Sequence, residues 1–254
     1  MTPKQGPEGA VKVAEPHSRS VWMTVLLALA PGLVMLVVPY AVASFNSFGR
    51  TIVLSSYYVS ETILLFGIMY LCAKRGGISL KAIIGYNAPL KPAVFLLVAA
   101  AGAIWAIGVR DYLRMDWIMA WAGAVQAVVP EGWPSIFAQL PGHDALFDEG
   151  GLPQVVGLII ATSAVVLASL AQTLYFRGFL LSGIDRIGLL APALITLLFV
   201  VFHMGSPPFW HVFLMLTLPW AFIAYGTKNV WVVAVSHMVM NGYHGIFALA
   251  GLTE

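Results

Sequence analysis

The chain has 254 residues, of which 60% are apolar or aromatic and only 9% charged; a soluble domain carries about 25% charge, so this composition belongs in a bilayer. Thirteen Lys and Arg against eleven Asp and Glu leave a net charge of +2, and no basic patch interleaves with aromatics, which excludes nucleic acid as a partner. A single cysteine, Cys72, rules out an internal disulfide or thiolate metal cluster and reads as small apolar filler near a helix end.

Crossing a hydrocarbon core of ~30 Å takes about 17–25 helical residues. Apolar runs occur at 21–42, 52–73, 92–109, 152–181, 189–202, 208–225 and 230–250. The run at 189–202 is short and must be extended by its neighbours or tilted. A further piece, 117–129, is bounded by Asp116 and Pro130 and suits a re-entrant or interfacial helix. The expectation is an all-α polytopic transmembrane helix bundle with seven or eight membrane segments, comprising a cytoplasmic tail over 1–20 and a single transmembrane domain over 21–254. The first run is long, holds Pro31 and Pro39 and precedes more of its kind, so it is not read as a cleavable signal peptide.

Lys4, Lys12 and Arg19 precede the first run, Lys74, Arg75, Lys81 and Lys91 fill the second connection, and Arg186 and Lys228 lie in later turns. With seven alternating helices these share one side, and Glu131, Asp144, Asp148 and Glu149 the other. The bias places the N-terminus in the cytoplasm and the C-terminus outside, although Arg50, Arg110 and Arg114 run against it. The expected location is a bacterial or archaeal plasma (inner) membrane. The stretch 130–151, with Trp133 and Phe137 at the interface, is too small for a soluble catalytic domain, so any chemistry belongs among the spans.

Ionisable groups inside a span cost ~2.5–3.5 kcal/mol or more and usually face a partner in the bundle interior. Three polar clusters qualify. The first is Gln172-Thr173-Leu174-Tyr175-Phe176-Arg177-Gly178, the second runs from Phe199 to His203, and the third sets His237 and Asn241 at i and i+4. The residues from Asp185 to Gly188 read as the turn of a helical hairpin. Gln172 stands 13 residues before it and His203 15 after, depths of roughly 20 and 22 Å. His237, nine residues beyond Lys228, enters to roughly 13 Å. One interior pocket of Gln172, His203, His237 and Asn241 follows, although any one of these residues taken alone reads equally as interhelical glue. Glu61 sits centrally in a span without a basic neighbour, either in a structural pair or in that pocket. His211 and His244 belong to no such cluster.

Together these clusters resemble the CAAX prenyl protease 2 family, also called the CPBP or Abi group of intramembrane proteases and bacteriocin-immunity proteins. Its motifs are Glu-Glu-x-x-x-Arg-Gly, Phe-x-x-x-His and His-x-x-x-Asn. Arg177 and Gly178 match the end of the first, Phe199 and His203 the second, and His237 and Asn241 the third, over a region of about 152–250. Gln172 and Thr173 replace the two glutamates, the first of which the resemblance makes the activator of the attacking water. Glutamine is neutral and no general base, and threonine does not repair that.

The resemblance with this departure implies a degenerate, non-proteolytic member acting as a scaffold, accessory subunit or binding protein in a membrane assembly. One alternative is an active CAAX-type or bacteriocin-processing endopeptidase with Glu61 as substitute acid. There His203 positions the water, His237 and Asn241 stabilise the oxyanion, and Arg177 anchors helices or binds a carboxylate. Another alternative is a transporter or lipid-binding bundle. His203 and His237 are weak zinc candidates, because catalytic zinc takes three protein ligands. No cofactor is expected. The expected partners are membrane lipids, with lipid bound in the groove, and other membrane proteins, with a peptide substrate only in the enzyme case.

Overall fold

The computed structural model describes residues 19–43, 50–112, 152–204 and 210–249, with 120, 124 and 127 as isolated helical positions. The expected segment 117–129, apart from those three positions, and the stretch 130–151 lie outside the described residues, as do the tail up to residue 18 and the side chain of His244. The described elements are helices joined by short connections, with an isolated bridge between Asn87 and Asn229. Its helices are α1 (Val21–Ala43), α2 (Arg50–Gly76), α3 (Leu80–Ile84), α4 (Pro92–Tyr112), α5 (Leu152–Gln172), α6 (Leu190–Phe202), α7 (Trp210–Thr227) and α8 (Val230–Leu249). A π-helical segment, Thr173–Leu180, and a short α-turn, Leu181–Gly183, continue α5 toward a 3₁₀ turn at Asp185–Ile187.

The all-α expectation stands, and the count of seven or eight membrane segments is corrected. Among the described residues three helices are long and apolar enough to cross a membrane: Ser55–Gly76, Pro92–Val109 and Ile159–Gly183. Leu190–Phe202 is apolar but shorter, and the part of α1 with described side chains, Val21–Val37, is apolar as well. At 1.5 Å per residue the 13 residues of α6 reach about 20 Å, well short of the core. In α7, His211, Trp220, Tyr225 and the internal Pro219 dilute the run. The sequence runs were overcounted because apolarity alone does not fix how long or how uniformly apolar the helix is.

The candidate spans turn apolar side chains outward, where Leu97 on α4 is 71% exposed and Ile104 70%. In water such faces would be untenable, whereas in a bilayer they cost nothing. Buried residues instead include Glu61, Gln172, Thr173, Arg177 and His237. The helix formed by α5 and its π extension runs through the middle, packed by α2 and α8, with α4 against α8, α6 against α7, and α1 against α2 and α6. Cys72 packs on the hydrophobic core near the end of α2.

Local chemistry sets the helix ends. Lys74 and Arg75 in the last turn of α2 complement the helix dipole, and Gly77 with φ +63° ends it. Ser79 caps α3 by accepting from the Ala82 amide at 3.1 Å. Pro92 opens α4, where a missing N–H has no consequence. The Asn229 side chain caps α8 by accepting from the amides of Trp231 (2.9 Å) and Val232 (3.2 Å).

These ends meet on one side of the bundle. The Arg19 amide donates to the Gly183 carbonyl at 2.8 Å, and its guanidinium to the Phe179 carbonyl at 2.6 Å. Lys228 reaches both oxygens of Asp185 at 2.8 Å and donates to the Tyr86 hydroxyl at 3.2 Å. Burial, then the charge of Asp185, push the Tyr86 phenol above its ordinary range, so its hydroxyl stays protonated. Gly178 lies under Ile84, where a Cβ would stand 2.9 Å from the Ile84 carbonyl oxygen. That approach locks α3 against the π segment and sets the height of the residues before it.

Candidate functional site

The site starts where α5 changes its winding. Gln172 is the last residue of the α-helix and Thr173 the first of the π-helical segment, whose eight residues are all buried. π turns are rare and occur often at functional sites. Here the two consecutive side chains find partners on different helices. The Gln172 amide Nε2 donates to Glu61 Oε1 on α2 at 2.6 Å. The Thr173 hydroxyl lies 3.0 Å from His237 Nδ1 on α8.

His203 follows the last residue of α6. Its Nδ1 is 2.9 Å from the Phe199 carbonyl oxygen, a group that only accepts. Nδ1 therefore carries a proton, and in the neutral ring Nε2 keeps its lone pair. The ring is held among Phe199 (4.5 Å between centroids), Phe202 (5.2 Å) and Phe213 (4.5 Å). His237 packs on Trp220 at 4.8 Å, and Trp220 Nε1 donates across to the Gly102 carbonyl at 3.2 Å. The Asn241 amide donates to Ser169 Oγ, which donates to the Val165 carbonyl at 2.7 Å.

These groups enclose one cavity of about 170 Å³, far above the ~10–15 Å³ one water requires. Glu61, Gln172, His203, His237, Asn241 and Ser169 supply its polar lining, and Tyr57, Tyr58, Phe199, Phe213 and Trp220 its aromatic walls. Polar groups converging among apolar walls are the usual make-up of a ligand site. The structure thus gathers Gln172, His203, His237 and Asn241, and adds Glu61 from outside their region of the chain. Thr173 stands behind His237. Arg177 does not line the cavity; its guanidinium lies beneath the walls, 4.8 Å from the Phe199 ring centroid and 5.5 Å from that of Trp220. It is 1% exposed, and its Nε and Nη1 have no hydrogen-bond partner among the described residues.

Sequence reasoning missed Ser169, Tyr57, Tyr58 and Trp220. Tyr57 and Tyr58 stand four and three residues before Glu61, and Ser169 four before Thr173, so helical spacing from the recognised residues pointed at three of the four. Trp220 carried no such signal. Among the described residues no three His, Cys, Asp or Glu side chains come together to hold a metal ion.

Residues 154–243 match the family described as Rce1-like, a type II CAAX prenyl endopeptidase. The match covers less than half of the chain; it includes the π segment, both histidines and Asn241 and leaves out Glu61. No curated protein and no solved structure matches the chain. The chain is thus a membrane protein with a region homologous to CAAX proteases, whose cavity holds a carboxylate from elsewhere in the sequence.

Proposed function

We propose that the protein is an intramembrane endopeptidase in which Glu61 supplies the carboxylate that position 172 lacks. One observation carries this reading: the Glu61 carboxylate, 1% exposed, is held at 2.6 Å by Gln172 in the cavity that also contains His203, His237 and Asn241. The general base is thereby moved across the cavity to α2, and the glutamine at its former position becomes the group that orients it.

In this mechanism a Glu61 oxygen takes a proton from a water, and that water's oxygen attacks the scissile carbonyl carbon. The lone pair on His203 Nε2 accepts the water's second hydrogen and aims it. His237 and the free N–H of Asn241 face the carbonyl oxygen as it becomes an oxyanion. When the C–N bond breaks, Glu61 returns the proton to the leaving amine. The aromatic walls and the homology favour a lipid-modified peptide of the CAAX kind. Gathering Arg19 and Lys228 at one end with the connections that bear Lys74, Arg75, Lys81, Lys91 and Arg186 favours a cytoplasmic N-terminus.

The second reading is a non-proteolytic scaffold or accessory subunit, favoured by the neutral Gln172-Thr173 pair and by Gln172 engaging Glu61 as a structural contact. Cleavage of a farnesylated CAAX peptide by the chain in proteoliposomes separates the two. Glu61→Gln keeps an acceptor for Gln172 and removes the base, so kcat falls by about 10²–10⁴. Cleavage by Glu61→Gln within about twofold of the parent would remove Glu61 from the mechanism, since a twofold change is under 0.5 kcal/mol of barrier.

A further inference from the structure

Four hydroxyls on these helices share a habit that Thr173 breaks. Ser169, Thr196, Thr217 and Thr227 each donate to the carbonyl four residues earlier, at 2.6–2.8 Å, the common resting bond of a helical Ser or Thr. The residue four before Thr173 is Ser169, and no such bond forms. Instead the Thr173 hydroxyl lies 3.0 Å from His237 Nδ1. Thr173 is 0% exposed, and that imidazole nitrogen is its hydroxyl's one hydrogen-bond partner among the described residues. Were Nδ1 the donor, the hydroxyl proton would be buried with no acceptor, at a cost of about 1–3 kcal/mol. Donation by the hydroxyl leaves nothing unsatisfied.

We infer that Thr173 donates to His237 Nδ1 and fixes His237 as the Nε2–H tautomer, opposite to His203. One imidazole then offers the cavity a lone pair and the other an N–H, with neither ring charged. Its importance for catalysis rests on the endopeptidase reading: His203 Nε2 aims the water while His237 Nε2–H meets the oxyanion. Thr173 touches no substrate and is a positioning residue. The competing acceptor is the Ser169 backbone carbonyl beside the His237 ring, which is left to compete for the ring proton once the threonine hydroxyl is absent.

The test uses the full chain, labelled with ¹⁵N-histidine and reconstituted in nanodiscs, with two-bond ¹H–¹⁵N correlations to read each tautomer. The expected spectrum has His203 as Nδ1–H and His237 as Nε2–H. Thr173→Val, equal in shape without the hydroxyl, moves His237 to Nδ1–H, and Thr173→Ser restores Nε2–H. In peptide cleavage Thr173→Val lowers kcat by about tenfold or more with KM nearly unchanged, toward the 10²–10³ cost of losing one oxyanion donor, and Thr173→Ser recovers most of it. His237 found as Nδ1–H in the parent overturns the assignment, as does a Thr173→Val chain with parental tautomer and kcat. If Thr173→Val does not fold, the parent and Thr173→Ser spectra decide. The tautomer needs no turnover to be read, so Nε2–H in an inactive chain upholds this inference and refutes the endopeptidase reading.

Discussion

Gly178 is where the π segment meets the end of α3, and Gly178→Ala is a direct test of how the site is positioned. The added Cβ would lie 2.8 Å from Ile84 Cγ2 and 2.9 Å from the Ile84 carbonyl oxygen, inside any normal contact. Rotating Ile84 relieves only the first clash, because the second is with backbone. The segment that must move carries Gly85, at φ +83°, and Tyr86, whose carbonyl accepts from the Val230 amide at 2.9 Å. Overpacking of this kind costs about 1–3 kcal/mol, and the helical gain of Ala over Gly returns at most about 1 kcal/mol. The net loss is about 0–2 kcal/mol, but against a control that receives the same helical gain the difference is the whole overpacking cost, a Tm gap of roughly 2–12 °C for a chain of this size. Gly67→Ala is the control, since a Cβ there meets nothing within 4 Å. Thermal unfolding of both variants in the same detergent checks the reasoning. Equal Tm values for the two would refute the close approach of α3 to the π segment.

Glu61→Ala leaves the buried Gln172 Nε2 without its acceptor and should destabilise the fold by about 1–3 kcal/mol, whereas Glu61→Gln stays near the parent; chemical denaturation in detergent distinguishes them. The Lys228–Asp185 pair is partly exposed, 42% and 29%, so Asp185→Asn should cost no more than about 1 kcal/mol. That difference should shrink as NaCl approaches 1 M, read by melting at two salt concentrations. Trp220→Phe removes the bond to the Gly102 carbonyl, with an expected loss of about 1 kcal/mol in unfolding free energy.

The three polar clusters were legible because helical spacing and hairpin depth are properties of short chain segments. Gln172 and His203, on either side of the turn at Asp185–Ile187, line the same cavity. Glu61 was visible as an anomaly, but its partner lies 111 residues away, a separation no local pattern spans. Arg177 sits four and five residues after Thr173 and Gln172, which suggests a shared face. The π winding and the rings of Phe199 and Trp220 place it beneath the cavity instead. The count of membrane segments failed for a different reason: apolarity alone does not fix the length of a helix, and the 13 residues of α6 fall short of a spanning length.

The central claim is that this cavity hydrolyses a peptide bond with Glu61 as its base, and the most direct measurement follows the water oxygen itself. The parent chain in proteoliposomes is given a farnesylated CAAX peptide in H₂¹⁸O, and the products are weighed by mass spectrometry. The account predicts cleavage with one ¹⁸O in the new carboxyl group, abolished in Glu61→Gln. An intact peptide with the parent chain, under conditions where Gln172→Glu cleaves it, would contradict the account and show that the missing glutamate was never replaced.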